Sequence, residues 1–155
     1  MGATLILQGS TSKQSRTRLW LALQAIPGLG SASVLKLVAR CGIEQLFQLS
    51  ASALQSLRLN PLQIQAICHP DWIVIDAMLA WCDSHECVIC TFDDPIYPVR
   101  LKEITSPPLL LFLQGNLALL NLPQVAVIGS RNATYYGRDK ATLFARQLTD
   151  VGLVV

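Results

Sequence analysis

The sequence predicts an α + α/β protein in two parts, an all-helical domain over residues 1–85 and the first part of a Rossmann-like parallel sheet over residues 86–155. Three observations support this fold class. Up to residue 84, apolar residues recur at three- and four-residue spacing, as on the buried face of a helix. Beyond His85 they form short runs separated by prolines, which is typical of strands. The last two runs flank a helical pattern, which indicates a strand–helix–strand unit.

The helical part carries clear start and stop signals. The apolar residues at helical spacing in the first helix are Leu19, Trp20, Leu23 and Ile26. The turn Pro27–Gly30 ends this helix. Asn60 and Pro61 predict another helix start, because asparagine caps a first turn and proline fits its first position. Residues 72–82 are apolar around most of a helix, which predicts packing on two sides.

The turn Pro27–Gly30 also resembles a helix-hairpin-helix, in which two glycines allow backbone N–H groups to face a DNA phosphate. The turn contains no lysine or arginine. Lys36 and Arg40 on the next helix would then supply the charge. The alternative is that the turn only joins two helices of a small bundle, or that the helical domain binds other proteins.

The second part has four candidate strands and one long helix. The strands are expected at residues 87–92, 109–113, 124–128 and 153–155, and the helix at about residues 135–150. The change from helical to strand periodicity near residue 85 predicts the domain boundary.

Composition limits the classes of protein that the chain can represent. Its 155 residues are 52% hydrophobic and 14% charged, which suffices for a buried core. No apolar run approaches the roughly 20 residues of a membrane span, and the start of the chain lacks a signal-peptide pattern, so a cytoplasmic protein without a membrane partner is expected. Residues 1–60 carry six basic groups against one acidic group, which suits a polyanionic partner.

The cysteines and histidines predict no metal centre and no catalytic set. The residues close enough in sequence for a zinc site are Cys82, His85, Cys87 and Cys90. Cys87 and Cys90 are three apart in a strand-like run, and such residues point to opposite faces, which argues against zinc. Asp93 and Asp94 precede Pro95 and are expected to form a turn. We therefore expect a non-enzymatic protein without a cofactor.

The strongest candidate site follows the run at 124–128. Gly129, Ser130 and Arg131 predict a tight turn, and Thr134 lies where it would cap the following helix. Backbone N–H groups and a positive helix end would then meet an anion, and Arg131 can hold a phosphate with two hydrogen bonds. Arg138 and Lys140 add positive charge nearby. The alternative is a capped helix with incidental surface charges.

The glycine spacing excludes two common nucleotide-binding fingerprints. Residues 129–137 match neither the phosphate loop of nucleoside triphosphatases nor the dinucleotide-binding pattern. This argues against an ATPase and against a nicotinamide-dependent enzyme.

Several separated motifs together resemble the DNA-processing protein A family, also called DprA or Smf. The motifs are Asp94–Leu101, Pro107–Phe112 with Gly115 and Asn116, and Val125–Arg131 with Thr134, Tyr136 and Gly137. The helical part is similar to the sterile-alpha-motif-like domain of that family. By this resemblance Gly129, Ser130 and Arg131 correspond to the family's phosphate loop.

The resemblance implies a function and a set of partners. It implies a protein that binds single-stranded DNA, protects incoming DNA in natural transformation, helps to load a RecA-type recombinase, and is a homodimer at full length. The family continues with a second glycine-rich loop and further sheet, so the resemblance also implies an N-terminal fragment. Similar glycine turns occur in Rossmann-like hydrolases of nucleotides, and such a hydrolase is the alternative function.

Overall fold

The computed structural model describes the backbone of residues 3–155 and the side chains from residue 13 onward. The chain divides into two compact units, the helical unit (Met1–Gly115) and the loop unit (Asn116–Val155). The helical unit contains α1 (Ala3–Gln24), α2 (Ser31–Cys41), α3 (Ile43–Leu46), α4 (Ala51–Ser56), α5 (Pro61–Cys68), α6 (Trp72–Ser84), β1 (Val88–Thr91), α7 (Val99–Lys102) and β2 (Leu110–Leu113). The loop unit contains a 3₁₀ helix (Leu117–Asn121) and α8 (Tyr135–Asp150).

The helix boundaries follow local chemistry. Gly28 turns the chain after α1 with a left-handed backbone, at a φ of +67°, which glycine adopts without a steric penalty. The predicted start at Asn60 is confirmed, since its side chain accepts a hydrogen bond from the Gln63 amide at 2.9 Å. The Gln63 side chain in turn accepts a bond from the Asn60 amide at 3.0 Å, which completes a capping box.

The core of the helical unit lies around the second half of α1. Trp20 and Leu23 are fully buried there, together with apolar residues from every following helix up to α6. On α6, Ile75 and Cys82 face this core, whereas Ile73 and Trp81 are exposed. The prediction of packing on two sides of this helix was therefore wrong, because only one stripe of it meets the core.

The small sheet belongs to the helical unit. β1 and β2 pair antiparallel, with Ile89 opposite Phe112. The ring of Phe92, directly after β1, lies 6.4 Å from the ring of Trp20. The helices and this sheet thus form one compact unit that extends to Gly115. The domain boundary near residue 85, inferred from the sequence, stays a prediction.

The loop unit contains little regular structure besides α8, whose predicted range is confirmed. The predicted strands at 124–128 and 153–155 reduce to one bridge, Gln124 with Val154. This bridge is parallel, as a strand–helix–strand unit requires. The Rossmann-like sheet is nevertheless not established, because the strand pair β1–β2 is antiparallel and the parallel contact is a single bridge.

Across the residues that the structure describes, no helix is long and apolar enough to cross a membrane.

Candidate phosphate-binding loop

The candidate loop connects the Gln124 bridge to α8. The Asn132 amide donates a hydrogen bond to Ser130 Oγ at 3.3 Å, so the serine hydroxyl supports the turn itself. Thr134 is the N-cap of α8, as predicted, and its Oγ1 accepts a hydrogen bond from the Gly137 amide at 3.1 Å. The Thr134 carbonyl accepts a further bond from the Arg138 amide at 3.0 Å. These bonds fix the direction in which α8 begins.

The first turn of α8 is suited to an anion. Within residues 3–155, the amides of Tyr135 and Tyr136 have no hydrogen-bond acceptor. The first turn contains no acidic residue, and 16 residues of helix place a partial positive charge at this end. Residues 129–134 are all exposed, so both amides and the loop face solvent. A negatively charged group can therefore reach these donors.

The basic side chains do not all lie on the same side of α8. Arg138 follows the cap residue Thr134 by one helical turn and lies on its side of the helix. Lys140 is two residues further, about 200° around the helix, and its Nζ lies 5.3 Å from the centre of the Tyr136 ring. Among the side chains described, neither Arg131 nor Arg138 takes part in an ion pair. The geometry thus groups Arg138, but not Lys140, with the capped end.

The two glycines of this region have different roles. Gly129 does not have a left-handed backbone, and a Cβ atom added to it would meet nothing within 4 Å. The fold therefore does not require glycine at this position, and the expected tight glycine turn lies at Arg131 and Asn132 instead. At Gly137 an added Cβ would lie 3.3 Å from Thr134 Oγ1, so this glycine makes room for the cap.

Two aromatic residues beside the loop were missed as site candidates. Tyr135 and Tyr136 open α8, and their side chains are 84% and 69% exposed. Exposed aromatic rings next to phosphate-binding groups are the stacking surfaces that single-stranded nucleic acids use. The signal was available in the sequence as two adjacent tyrosines directly after the loop.

The other candidates have structural partners in the helical unit. Asp93 accepts a hydrogen bond from Thr91 Oγ1 at 2.7 Å and pairs with Arg16. Burial acts to raise the pKa of Asp93, but the bonds from Thr91 and Arg16 outweigh burial and lower it. Asp94 is buried and pairs with Lys13 at 2.9 Å. The expected turn is confirmed, because the Ile96 amide donates to Asp94 Oδ1 at 3.3 Å.

The zinc candidates do not converge. His85 Nδ1 lies 2.8 Å from the Trp81 carbonyl oxygen, and its ring stacks on the Trp81 ring at 4.2 Å. Nowhere in the described part of the chain do three potential metal ligands come together.

The hairpin between α1 and α2 is partly enclosed. Leu29, Gly30 and Ser31 line a cleft of about 380 Å³ together with Pro108 to Leu110 and Phe112. Gly30 is the N-cap of α2. Lys36 and Arg40 on α2 are exposed.

The structure thus has a helical unit with a two-stranded antiparallel sheet and, in the loop unit, an exposed loop that leads into α8. The family "DNA recombination-mediator protein A" matches residues 88–155, and the family "SMF/DprA SAM domain" matches residues 14–80. The chain belongs to the DprA/Smf family. The helical unit therefore contains a domain related to the sterile alpha motif, as predicted.

Curated relatives agree with this assignment. Protein Smf of Escherichia coli is 27% identical over 139 residues, which are 90% of this chain and 37% of that protein. DNA processing protein DprA of Streptococcus pneumoniae is 52% identical over 44 residues, or 28% of this chain and 16% of that protein. The DprA protein of Bacillus subtilis is 33% identical over 60 residues, 38% of this chain and 20% of that protein. The chain thus spans well under half the length of these relatives. No solved structure matches it with significance.

Proposed function

We propose that this chain belongs to a non-catalytic protein that binds single-stranded DNA, protects incoming DNA in natural transformation, and helps to load a RecA-type recombinase in the bacterial cytoplasm. The observation that carries the proposal is the exposed start of α8, where two amides without acceptors in the described chain follow Arg131 by four and five residues. The RecA-type recombinase and the homodimeric full-length protein enter the proposal through the family resemblance, and the description of the matched family as a recombination mediator supports the recombinase.

The proposed contact is with the DNA backbone. The amides of Tyr135 and Tyr136 donate to one phosphate, and Arg131 holds the same or the next phosphate with two hydrogen bonds. Arg138 adds charge on the cap side of the helix, and Lys140 adds charge beside the Tyr136 ring, 5.3 Å from its centre. The tyrosine rings stack on bases, which suits binding without sequence preference.

Arg131→Ala in the full-length protein tests this site. We expect weaker binding of a single-stranded oligonucleotide, and a slope of log affinity against log salt that is smaller by about 0.7 for each phosphate that the variant no longer neutralises. Arg146→Ala is the matched control, because it removes the same charge from an exposed position about 12 Å further along α8 than Arg138. Equally weakened binding in the two variants would show that only net charge matters and would refute the site.

Gly129→Ala tests whether the backbone of the loop approaches the ligand. Because the added Cβ meets nothing in the protein, we expect an unchanged unfolding curve but weaker oligonucleotide binding. Unchanged binding would show that the DNA does not come close to Gly129.

The helical domain is proposed to be accessory. Exposed Lys36 and Arg40 would extend the DNA surface if the hairpin binds a phosphate. Replacing both with alanine in the full-length protein separates the two roles of this domain. Weaker DNA binding supports a DNA surface, and unchanged DNA binding supports a domain that only binds proteins.

The non-catalytic assignment has its own test. Full-length protein incubated with nucleoside monophosphates should release no free base, measured by chromatography. Release of base that depends on Arg131 would replace the proposal with the nucleotide hydrolase alternative.

A further inference from the structure

Two cysteines meet at the end of α6, away from the candidate loop. Helix α6 ends at Ser84, and Glu86, two residues later, has a left-handed backbone at a φ of +51°. The Cys87 amide then donates a hydrogen bond to the Cys82 carbonyl at 2.9 Å. A left-handed residue followed by this six-residue bond is typical of the Schellman motif, in which the residues at the two ends of the turn frequently make a side-chain contact. Apolar side chains usually fill these two positions. Here both are cysteines.

The backbone geometry permits a disulfide between them. The 2.9 Å hydrogen bond joins the amide nitrogen bonded to the Cys87 Cα and the carbonyl oxygen two bonds from the Cys82 Cα, so these Cα atoms cannot lie further apart than the roughly 6.8 Å that disulfides can span. The side chains are also close to each other. Burial first, and then the neighbouring Cys87 thiol, raise the pKa of Cys82.

The two thiols differ in access. Cys82 is only 2% exposed, whereas Cys87 is half-buried. Both line a cleft of about 420 Å³, together with Lys13 and Gln14 of α1. A small oxidant that enters this cleft therefore meets Cys87 as the more exposed of the two thiols.

We propose that Cys82 and Cys87 form a reversible intramolecular disulfide by exchange with a low-molecular-weight disulfide. In the first step the Cys87 thiolate attacks one sulfur of that disulfide, whose S–S bond breaks and releases one small thiol. In the second step Cys82, after losing its proton to solvent, attacks the Cys87 sulfur and releases the second small thiol. Two protein thiols are oxidised and one small disulfide is reduced, so no other reactant is needed.

The disulfide would cross-link the short segment between the two regions of the chain that the family models match. Cys82 follows the residues matched by the SAM domain family, and Cys87 directly precedes those matched by the recombination-mediator family. The disulfide would close the turn at Ser84–Glu86, where Glu86 adopts a backbone that residues other than glycine rarely take. A closed junction resists local opening and makes the oxidised protein more resistant to cleavage at this turn.

The test is a thiol count on the protein after treatment with oxidised glutathione. Alkylation under denaturing conditions should modify all five cysteines of this chain before oxidation and at most three afterwards, since the exposed Cys68 can also take up glutathione, and peptide mapping should place the cross-link between Cys82 and Cys87. Cys90 should stay reduced, because it is buried and burial raises its pKa to about 11. Dithiothreitol should restore all five thiols.

Matched variants separate this pair from the other cysteines. In Cys87→Ser, no intramolecular disulfide should form and Cys82 should stay reduced. In Cys82→Ala, the reaction should end after the first step, with glutathione attached to Cys87. The double variant Cys41→Ser, Cys68→Ser should still lose two thiols. Replacing the buried Cys82 can unfold the protein, so the conclusion depends on Cys87→Ser and not on Cys82→Ala. A constant count of five thiols, a stable glutathione adduct on Cys82 or Cys87 in the wild type, or a cross-link elsewhere would overturn the proposal.

Discussion

The helical unit and the loop unit differ most in burial. The helical unit buries Trp20, Leu23 and residues from most of its helices, whereas none of the residues from Asn116 to Val155 is buried. In the loop unit Ile128 is 92% exposed. Phe144 on α8 and Val151, directly after α8, also face solvent. Stability therefore resides in the helical unit, while the candidate phosphate loop is held by local hydrogen bonds and one bridge.

The largest expected effect is a core truncation. Leu23→Ala should lower the free energy of unfolding by about 2–5 kcal/mol, because Leu23 is fully buried and its truncation leaves a cavity. Phe144→Ala removes a larger but exposed side chain from the loop unit and should change the free energy of unfolding by about 0.5 kcal/mol or less. Urea unfolding measures both. A comparable destabilisation in Phe144→Ala would mean that the loop unit has a core of its own in solution.

A smaller effect is expected at the turn after β1. Tyr97 is buried, and its hydroxyl donates to the Pro108 carbonyl at 2.8 Å. Tyr97→Phe should destabilise the helical unit by about 1–3 kcal/mol, since the carbonyl is left without its donor. Tyr136→Phe removes a hydroxyl from an exposed ring and should leave the unfolding curve unchanged. Equal stability of the two variants would show that water replaces the Tyr97 bond.

The cap of α8 should affect the loop unit alone. Thr134→Ala removes the acceptor of the Gly137 amide and should cost about 0.5–2 kcal/mol in the local stability of α8. Amide hydrogen exchange across α8 measures this change. Thr142→Ala is the control, because that hydroxyl only donates to the Arg138 carbonyl within the helix. A cooperative decrease of protection in the helical unit as well would contradict this prediction.

The smallest effect is an acid dependence in the helical unit. The pKa of Asp93 in the folded protein is lowered. Its carboxylate therefore stabilises the fold fully at pH values above the ordinary aspartate pKa of about 3.9. This stabilisation is lost as the pH falls through the lowered pKa of the folded state. Asp93→Asn should therefore lose less stability than the wild type between about pH 5 and pH 2. Asp150→Asn removes an exposed carboxylate and is the control. Parallel acid profiles for wild type and Asp93→Asn would refute the assignment.

Local signals in the sequence determined the helices and the cap. Asn60 with Pro61, and Thr134 before Tyr135, predicted helix starts that the structure confirms, because capping depends on residues only three positions apart. The family assignment also followed from motifs readable along the chain. The phosphate-binding roles of Gly129, Ser130 and Arg131 stay predictions.

Tertiary structure decided what spacing along the chain does not reveal. Only the fold shows that α6 buries one stripe and that β1 and β2 pair antiparallel within the helical unit. The pairing of Arg16 with Asp93 joins residues 77 positions apart. Periodicity fixes which face of an element is apolar, but the partner of that face depends on contacts between distant segments, which no local pattern encodes.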